Sequence, residues 1–400
     1  MRRASLLIAL VAGLAAAVAS APGPDECSTL VAAGAATVDG SPLLWKNRDT
    51  DTLSNKVVLV EDTPHRYLGL VNAHDPAGRM VWAGLNSAGF AVANSVAYNL
   101  PLEAGEQIDL EGIIMADALR VCATVAEFEA FLSRRLNRDL GSRANFLAID
   151  ARGGAAIFET HNHGLERLNC EEAPDKYLAN TNFSRSGAQD EGMGYLRFDR
   201  EMALLAAAPG GKLSHDYLLQ VVARDVGHSL LGHPGRDAWK KLPAGVPLWL
   251  HTNHAINRPS TASAVVIRGV NPGGDPSAAT MWVILGEPVT SIAVPLWVAA
   301  GAPPAELWEG KDAAISVEAS RLKDLLRPLP SRERREYIDV TRLDNAAGTG
   351  WLPATLEAER EILRRTGEFL RRRPTPAEMS RFENDAAASA LRTLRQVPGK

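Results

Sequence analysis

Short apolar runs separated by turn residues dominate the chain up to about residue 100. Cys27-Ser28-Thr29-Leu30-Val31 and Leu43-Leu44-Trp45-Lys46-Asn47-Arg48-Asp49 are two such runs, and the Asp39-Gly40 pair between them predicts a turn and hence a hairpin. Runs at 57–60, 67–71, 80–84 and 90–94 continue as an antiparallel meander, with Asn86-Ser87-Ala88-Gly89 as a turn inside it. The period then changes. Over 110–122, Ile113, Ile114, Ala118, Leu119 and Val121 fall on one helical face, and Thr124-Val125-Ala126-Glu127 is a capping pattern that opens a second helix running over 128–136. Strand-like runs at 145–150 and 155–159 flank Arg152-Gly153-Gly154 as a further hairpin, and 176–183 is a short strand entering a polar loop. Helical periods at 195–208 and 214–226 precede strands at 262–267 and 280–285, which are joined by the turn Pro272-Gly273-Gly274-Asp275-Pro276. From Pro303 the composition becomes charged and rich in Ala and Arg, with helix-prone segments at 305–326, 357–372 and 376–396.

Groups of strands alternating with groups of helices predict an α+β fold in which helices cover the outer faces of sheets. With 400 residues, 46% hydrophobic and 22% charged, the chain suits one large globular domain or two modest ones. A net charge of −4 gives no electrostatic footprint for nucleic acid. At the start, Arg2 and Arg3 precede an uncharged apolar run over 6–18, and Ala17-Val18-Ala19 or Ala19-Ser20-Ala21 supplies small residues for cleavage. Residues 1–21 therefore read as a signal peptide, and the apolar run falls short of the ~20 residues of a membrane span. The expectation is export, to a periplasmic or extracellular location, with no stable membrane anchor. A lipoprotein anchor on Cys27 is disfavoured by Pro24-Asp25-Glu26 in front of it. What remains after signal cleavage is a short pro-segment, 22–26, and its removal makes Cys27 the N-terminal residue.

The predicted hairpin brings the Cys27 thiol beside the Lys46-Asn47-Arg48-Asp49 cluster, an electropositive setting of the kind that favours a nucleophilic thiolate. Strand alternation turns Lys46 and Arg48 to one side and Asn47 to the other. Taken alone, Cys27 also reads as a small buried apolar residue and Asn47-Arg48-Asp49 as a solvated turn. Further along stand Asn86-Ser87-Ala88-Gly89-Phe90-Ala91-Val92-Ala93-Asn94, Ala179-Asn180-Thr181-Asn182-Phe183 and Asn257-Arg258-Pro259-Ser260-Thr261-Ala262-Ser263. In this order the five segments resemble the N-terminal-nucleophile (Ntn) hydrolases with cysteine nucleophiles, nearest to the acyl-coenzyme A:6-aminopenicillanate (isopenicillin N) acyltransferase family and its relatives, the choloylglycine (bile salt and penicillin V) hydrolases. The likeness covers roughly residues 27–296.

That resemblance implies a four-layer αββα sandwich over 27–302, and the change of composition from Pro303 makes 303–400 a helical C-terminal extension. It implies an amidase or acyltransferase that needs no cofactor, cleaves linear amide C–N bonds of small N-acyl amides or peptides through a thioester on Cys27, and uses the Cys27 α-amine as base. Asp49 matches the family carboxylate that holds the α-ammonium or the thiol; Asn94 and Asn182 match its oxyanion donors, with Asn180 as the substitute for Asn182. Arg258 matches the family arginine ahead of the 262–267 strand; an arginine in a cleft can pin the N-terminal residue or a substrate carboxylate, and taken alone it reads as a surface charge. Lys46 stands where bile salt hydrolases keep an arginine, and Lys46 and Arg48 are the substrate-binding candidates together with Asn180. Lysine supplies a point charge without the bidentate fork of arginine.

Other chemistries are weaker. His161-x-His163 and His251-x-x-His254 have spacings open to a metal, but no carboxylate or cysteine set accompanies them, so they read as surface or hydrogen-bonding histidines and no metal is assigned. Cys122 and Cys170 form either a disulfide or two independently buried thiols. A non-enzymatic exported binding protein on the same fold, with Cys27 structural, is the alternative of a different class. The sequence leaves the oligomeric state open.

Overall fold

The computed structural model describes residues 26–136, 139–331 and 334–398. Residues 1–25, read from the sequence as a signal peptide and most of a pro-segment, lie outside the described residues. Fifteen strands alternate with helices: β1 (Glu26–Ala32), β2 (Leu43–Asp49), β3 (Asn55–Val60), β4 (Tyr67–Asn72), β5 (Ala83–Asn86), β6 (Ala91–Val96), β7 (Ala144–Ile149), β8 (Ala155–His161), β9 (Gly164–Asn169), β10 (Tyr177–Asn180), β11 (Trp249–His251), β12 (Thr261–Arg268), β13 (Thr280–Leu285), β14 (Val294–Leu296) and β15 (Tyr337–Asp339). One antiparallel sheet has the order β10-β1-β2-β12-β13-β14 and a second has β3-β4-β5-β6-β7-β8-β9, while β11 and β15 pair by themselves. The predicted hairpin is present, with Cys27 opposite Arg48 and Glu26 opposite Asp49. Its link, 33–42, is longer than a two-residue turn and carries Gly40 at φ +76°, a left-handed conformation that favours glycine.

The two sheets stack face to face. Strand alternation on β2 sends Lys46 to Asn94 of the second sheet and Asn47 away from it, to the carbonyls of Ala223 and Ile256. On the far side of the second sheet, the helices Glu111–Val121 and Val125–Leu136 bury Ile114, Leu119, Phe128 and Leu132 against Val92, Phe146 and Phe158. The buried stripe of the first helix runs through Ile114, Met115, Ala118 and Leu119, whereas Ile113 and Val121, placed on that face by the sequence pattern, are exposed. The Thr124 cap is present as predicted, its hydroxyl accepting from the Glu127 N–H at 3.1 Å, and the helix begins directly after it at Val125.

The outer face of the first sheet is covered by the helix Tyr195–Ala206, by a single α turn His215–Tyr217 continuing into a π turn Leu218–Val222, and by Ala314–Leu326, Leu352–Leu370 and Pro376–Gln396. The result is an α+β, αββα arrangement of four layers. The helices after residue 303 share one hydrophobic cluster with the first sheet, Ile315, Leu322, Leu356 and Ala390 packing with residues such as Val283, Ile284 and Val294. Two buried ion pairs tie these layers together: Arg224–Glu359 at 2.6 Å and Arg327–Glu287 at 2.7 Å. Among the described residues, no helix is long and apolar enough to cross a membrane.

Candidate active site

Cys27 is the second residue of β1 and is 5% exposed. Its register partner Arg48 and the alternation of β2 place Cys27, Lys46 and Arg48 on the face that meets the second sheet. There they border a cavity of about 330 Å³, together with Asp49, Trp82 and Asn94. Lys46 Nζ donates to Asn94 Oδ1 at 2.7 Å and to the Trp82 carbonyl at 3.0 Å. Arg48 Nη1 donates to Asn55 Oδ1 at 3.0 Å and Asn72 Oδ1 at 2.8 Å, and its guanidinium lies over the Trp82 ring at 4.4 Å. Neutral oxygens and an aromatic face orient both cations at the edge of the cavity that the cysteine borders.

The other side of the same backbone is equally specific. The Cys27 N–H donates to Asn182 Oδ1 at 3.0 Å, and Asn182 Nδ2 donates to the Val96 carbonyl at 2.9 Å. Arg197, from the helix Tyr195–Ala206, donates to Asn182 Oδ1 at 2.8 Å, to the Cys27 carbonyl at 2.7 Å, to Ser28 Oγ at 3.1 Å and to the Glu26 carboxylate at 2.5 Å. Arg258 Nη1 stands 2.8 Å from the same Glu26 oxygen, Nε is 4.0 Å from Asp49 Oδ2, and Nη2 donates to Asn253 Oδ1 at 2.9 Å. Asp49 ends β2 opposite Glu26, where its Oδ1 accepts from Thr261 Oγ1 at 2.7 Å.

Electrostatics separate the two carboxyls. Complete burial pushes Asp49 up to about 6, against the pull of Arg258 and Arg197. Burial also pushes Glu26 upward, but Arg197 and Arg258 outweigh it and hold that carboxyl below its ordinary value.

Of the residues singled out by sequence, Cys27, Lys46, Arg48, Asp49 and Asn94 border the one cavity, while Asn182 holds the Cys27 N–H and Arg258 meets the Glu26 carboxylate. Asn180 is turned elsewhere: its Oδ1 accepts from Arg185 at 3.3 Å and its carbonyl accepts from Thr29. Arg197 was missed. Its helix buries Arg197, Glu201 and Leu205, a stripe at spacing four that carries two charged residues where apolar ones belong, and that misplacement is the signal available in the sequence.

Cys122 and Cys170 are free thiols in two different hydrophobic cores, which removes the disulfide alternative. Burial pushes each up to about 12. His161 and His163 lie at the β8–β9 hairpin, with His163 2.5 Å from Glu106. His251 and His254 neighbour each other and His228 or Tyr337 through ring contacts.

No protein-family model and no curated protein sequence matches this chain. Among solved structures it is similar to a Caenorhabditis elegans N-acylethanolamine-hydrolyzing acid amidase (NAAA) ortholog, at 16% identity over 62% of this chain and 94% of that one, with a TM-score of 0.39. A variant of conjugated bile acid hydrolase from Clostridium perfringens is similar at 13% identity over 68% and 92%, TM-score 0.36. Penicillin V acylase from Agrobacterium tumefaciens is similar at 15% identity over 68% and 86%, TM-score 0.34.

Proposed function

We propose that this chain is an exported amidase that cleaves linear amide C–N bonds of small N-acyl compounds through a thioester on Cys27. The observation that carries the reading is the Cys27 backbone nitrogen held 3.0 Å from Asn182 Oδ1 while the residue borders a cavity lined by Lys46, Arg48 and Asn94. Nucleophile and incipient base thus belong to one anchored residue. In the first step the thiolate adds to the Glu26 carbonyl carbon, the Glu26–Cys27 C–N bond breaks, and the nitrogen takes up the thiol proton. Water then cleaves the resulting thioester, releasing the leader as a carboxylic acid and leaving Cys27 with a free α-amine. An α-amine of ordinary pKa, about 7.7–8.0, accepts a proton near neutral pH. In turnover it takes the thiol proton, the thiolate attacks the substrate amide, the amine leaves protonated, and water regenerates the thiol. A second amine in place of that water makes the same enzyme an acyltransferase.

Mass spectrometry of purified wild type and Cys27→Ala, combined with a panel of N-acyl amino acids, penicillin V and conjugated bile acids, tests this. The expected wild type begins at Cys27 and is active, whereas Cys27→Ala retains Glu26 and is inactive. An active wild type still carrying Glu26 overturns the α-amine mechanism. A wild type inert on the whole panel, with Cys27 alkylated no faster than the buried thiols, favours the binding-protein reading. Supplying a competing amine and finding its N-acyl product identifies acyl transfer.

A further inference from the structure

We infer that the place filled by the Glu26 side chain is a carboxylate site, which loss of the leader opens to a carboxylate of the substrate; this rests on the proposed cleavage between Glu26 and Cys27. Arg197 and Arg258 are both more than nine-tenths buried, and they approach one Glu26 oxygen from two directions, at 2.5 and 2.8 Å. One comes from the helix Tyr195–Ala206 and the other from the segment before β12, so the site is built by the fold and does not follow Glu26 as a local side-chain contact. Glu26 is the acyl-side residue of the bond to be cut, so it departs with the leader. Asp49 then stays as a carboxyl near Arg258, with one oxygen already taken by Thr261. Two buried guanidiniums that lose an anion in a low-dielectric setting favour a replacement of the same charge.

A cavity of about 680 Å³ meets this point, bordered by Glu26, Arg258, Lys323, Arg327 and Arg335. The smaller cavity bordered by Cys27 shares none of these lining residues. In Glu26 itself, three carbons separate the carboxylate from the carbonyl that the thiol attacks. An acyl group of glutaryl type reproduces that spacing, with its amide carbonyl at Cys27 and its far carboxylate between Arg197 and Arg258. A carboxylate on the amine side, as in an N-acyl amino acid, offers the same chemistry from the other direction.

Two measurements on the full-length protein test the inference. In the first, calorimetric titration with glutarate compares Cys27→Ala, which retains Glu26, with Cys27→Ala/Glu26→Ala. The double variant is expected to bind glutarate at least about tenfold more tightly than the single one and to bind the diamide glutaramide no better than the single variant does, as a charge-assisted contact requires. Undetectable glutarate binding in the double variant, or equal affinity in both, overturns the site. In the second, which needs no variant, wild type is given glutaryl-p-nitroanilide against valeryl-p-nitroanilide, and N-hexanoylglycine against N-hexanoylethylamide. A kcat/KM preference of about 10–100-fold for glutaryl places the carboxylate on the acyl side, and the same preference for the glycine compound alone places it on the amine side. Efficient cleavage with the neutral member preferred in both pairs sinks the carboxylate site while leaving the amidase reading intact. If none of the four is cleaved, the amidase reading fails on these amides and the titration alone decides the site.

Discussion

Replacing Arg197 by Met in a chain that retains Glu26 removes the one side chain joining Glu26, Cys27, Ser28 and Asn182. The Cys27→Ala background keeps Glu26 attached. There the substitution leaves four acceptors without this donor: the Cys27 position carbonyl, Ser28 Oγ, Asn182 Oδ1 and the part-buried Glu26 carboxylate. Hydrogen bonds to a charged group contribute about 1.5–3 kcal/mol each, but they are not additive around one guanidinium. Breaking a buried ion pair costs about 3–5 kcal/mol. Glu26 retains Arg258, and Met keeps the helix and fills much of the space, so the lower end, about 3 kcal/mol, is expected. Glu201, one turn along the helix, is coupled to the same guanidinium: burial pushes its carboxyl well above the ordinary value and Arg197 pulls against that shift. Urea unfolding followed by tryptophan fluorescence measures the change, and a double-mutant cycle with Glu26→Gln isolates the pair, with a coupling of about 1–3 kcal/mol. A loss under about 1 kcal/mol, or a coupling indistinguishable from zero, would refute the claim that Arg197 organises this strand end.

Three further outcomes are expected. If Asn182 donates to the oxyanion, Asn182→Ala lowers turnover roughly 10²–10³-fold, the scale of losing one such donor, whereas Asn180→Ala has a much smaller effect; steady-state kinetics on the two variants compares them directly. Iodoacetamide alkylates Cys27 well before Cys122 and Cys170, whose thiols burial pushes up to about 12, and peptide mapping at pH 7.5 over time reads the order. In the chain retaining Glu26, the Asp49 carboxyl titrates at about 6 in the folded state against 3.8 as its reference, so its favourable contribution is present below about pH 4 and is lost as pH rises through 6. Asp49→Asn flattens that part of the stability–pH curve by up to about 3 kcal/mol, and an unchanged curve refutes burial as the cause.

Much of this fold is written in local pattern. The run 280–285 coincides with β13, the Thr124 cap stands at its helix start, and the alternation of Lys46, Asn47 and Arg48 divides their side chains between two layers as the strand period requires. The strand β9 was not legible, because Gly164–Asn169 is a half-buried edge strand whose Glu166 and Arg167 break the apolar signal. β11 and β15 are three residues each and pair across more than 80 positions, too short and too distant for any local cue. In the site, Cys27, Asp49 and Asn94 were legible through their segments. Arg197 was not, since nothing in a window around it says that a helix laid across the first sheet delivers its guanidinium to a strand 170 residues earlier.

The two faces of one hairpin divide the chemistry. Toward the second sheet, Cys27 shares its side with Lys46 and Arg48, and their positive charge is fixed by Asn94, Asn55, Asn72 and the Trp82 ring. Toward the helices, Glu26 and Asp49 stand opposite each other and meet Arg197 and Arg258. A strand that alternates must place neighbouring residues in these two environments, so the Cys27 nitrogen lies between them, with Asn182 fixing it in place. Cutting the chain at that nitrogen changes both sides at once. It takes one anion from the arginine side and adds a titratable amine beside the thiol, in a setting where Asp49 is already poised near pH 6 by burial. An ammonium forming at Cys27 is an opposite charge close to Asp49, so it draws that carboxyl back toward its ionised form. Under the proposed cleavage, Asp49 is thereby the group positioned to steady the new N terminus.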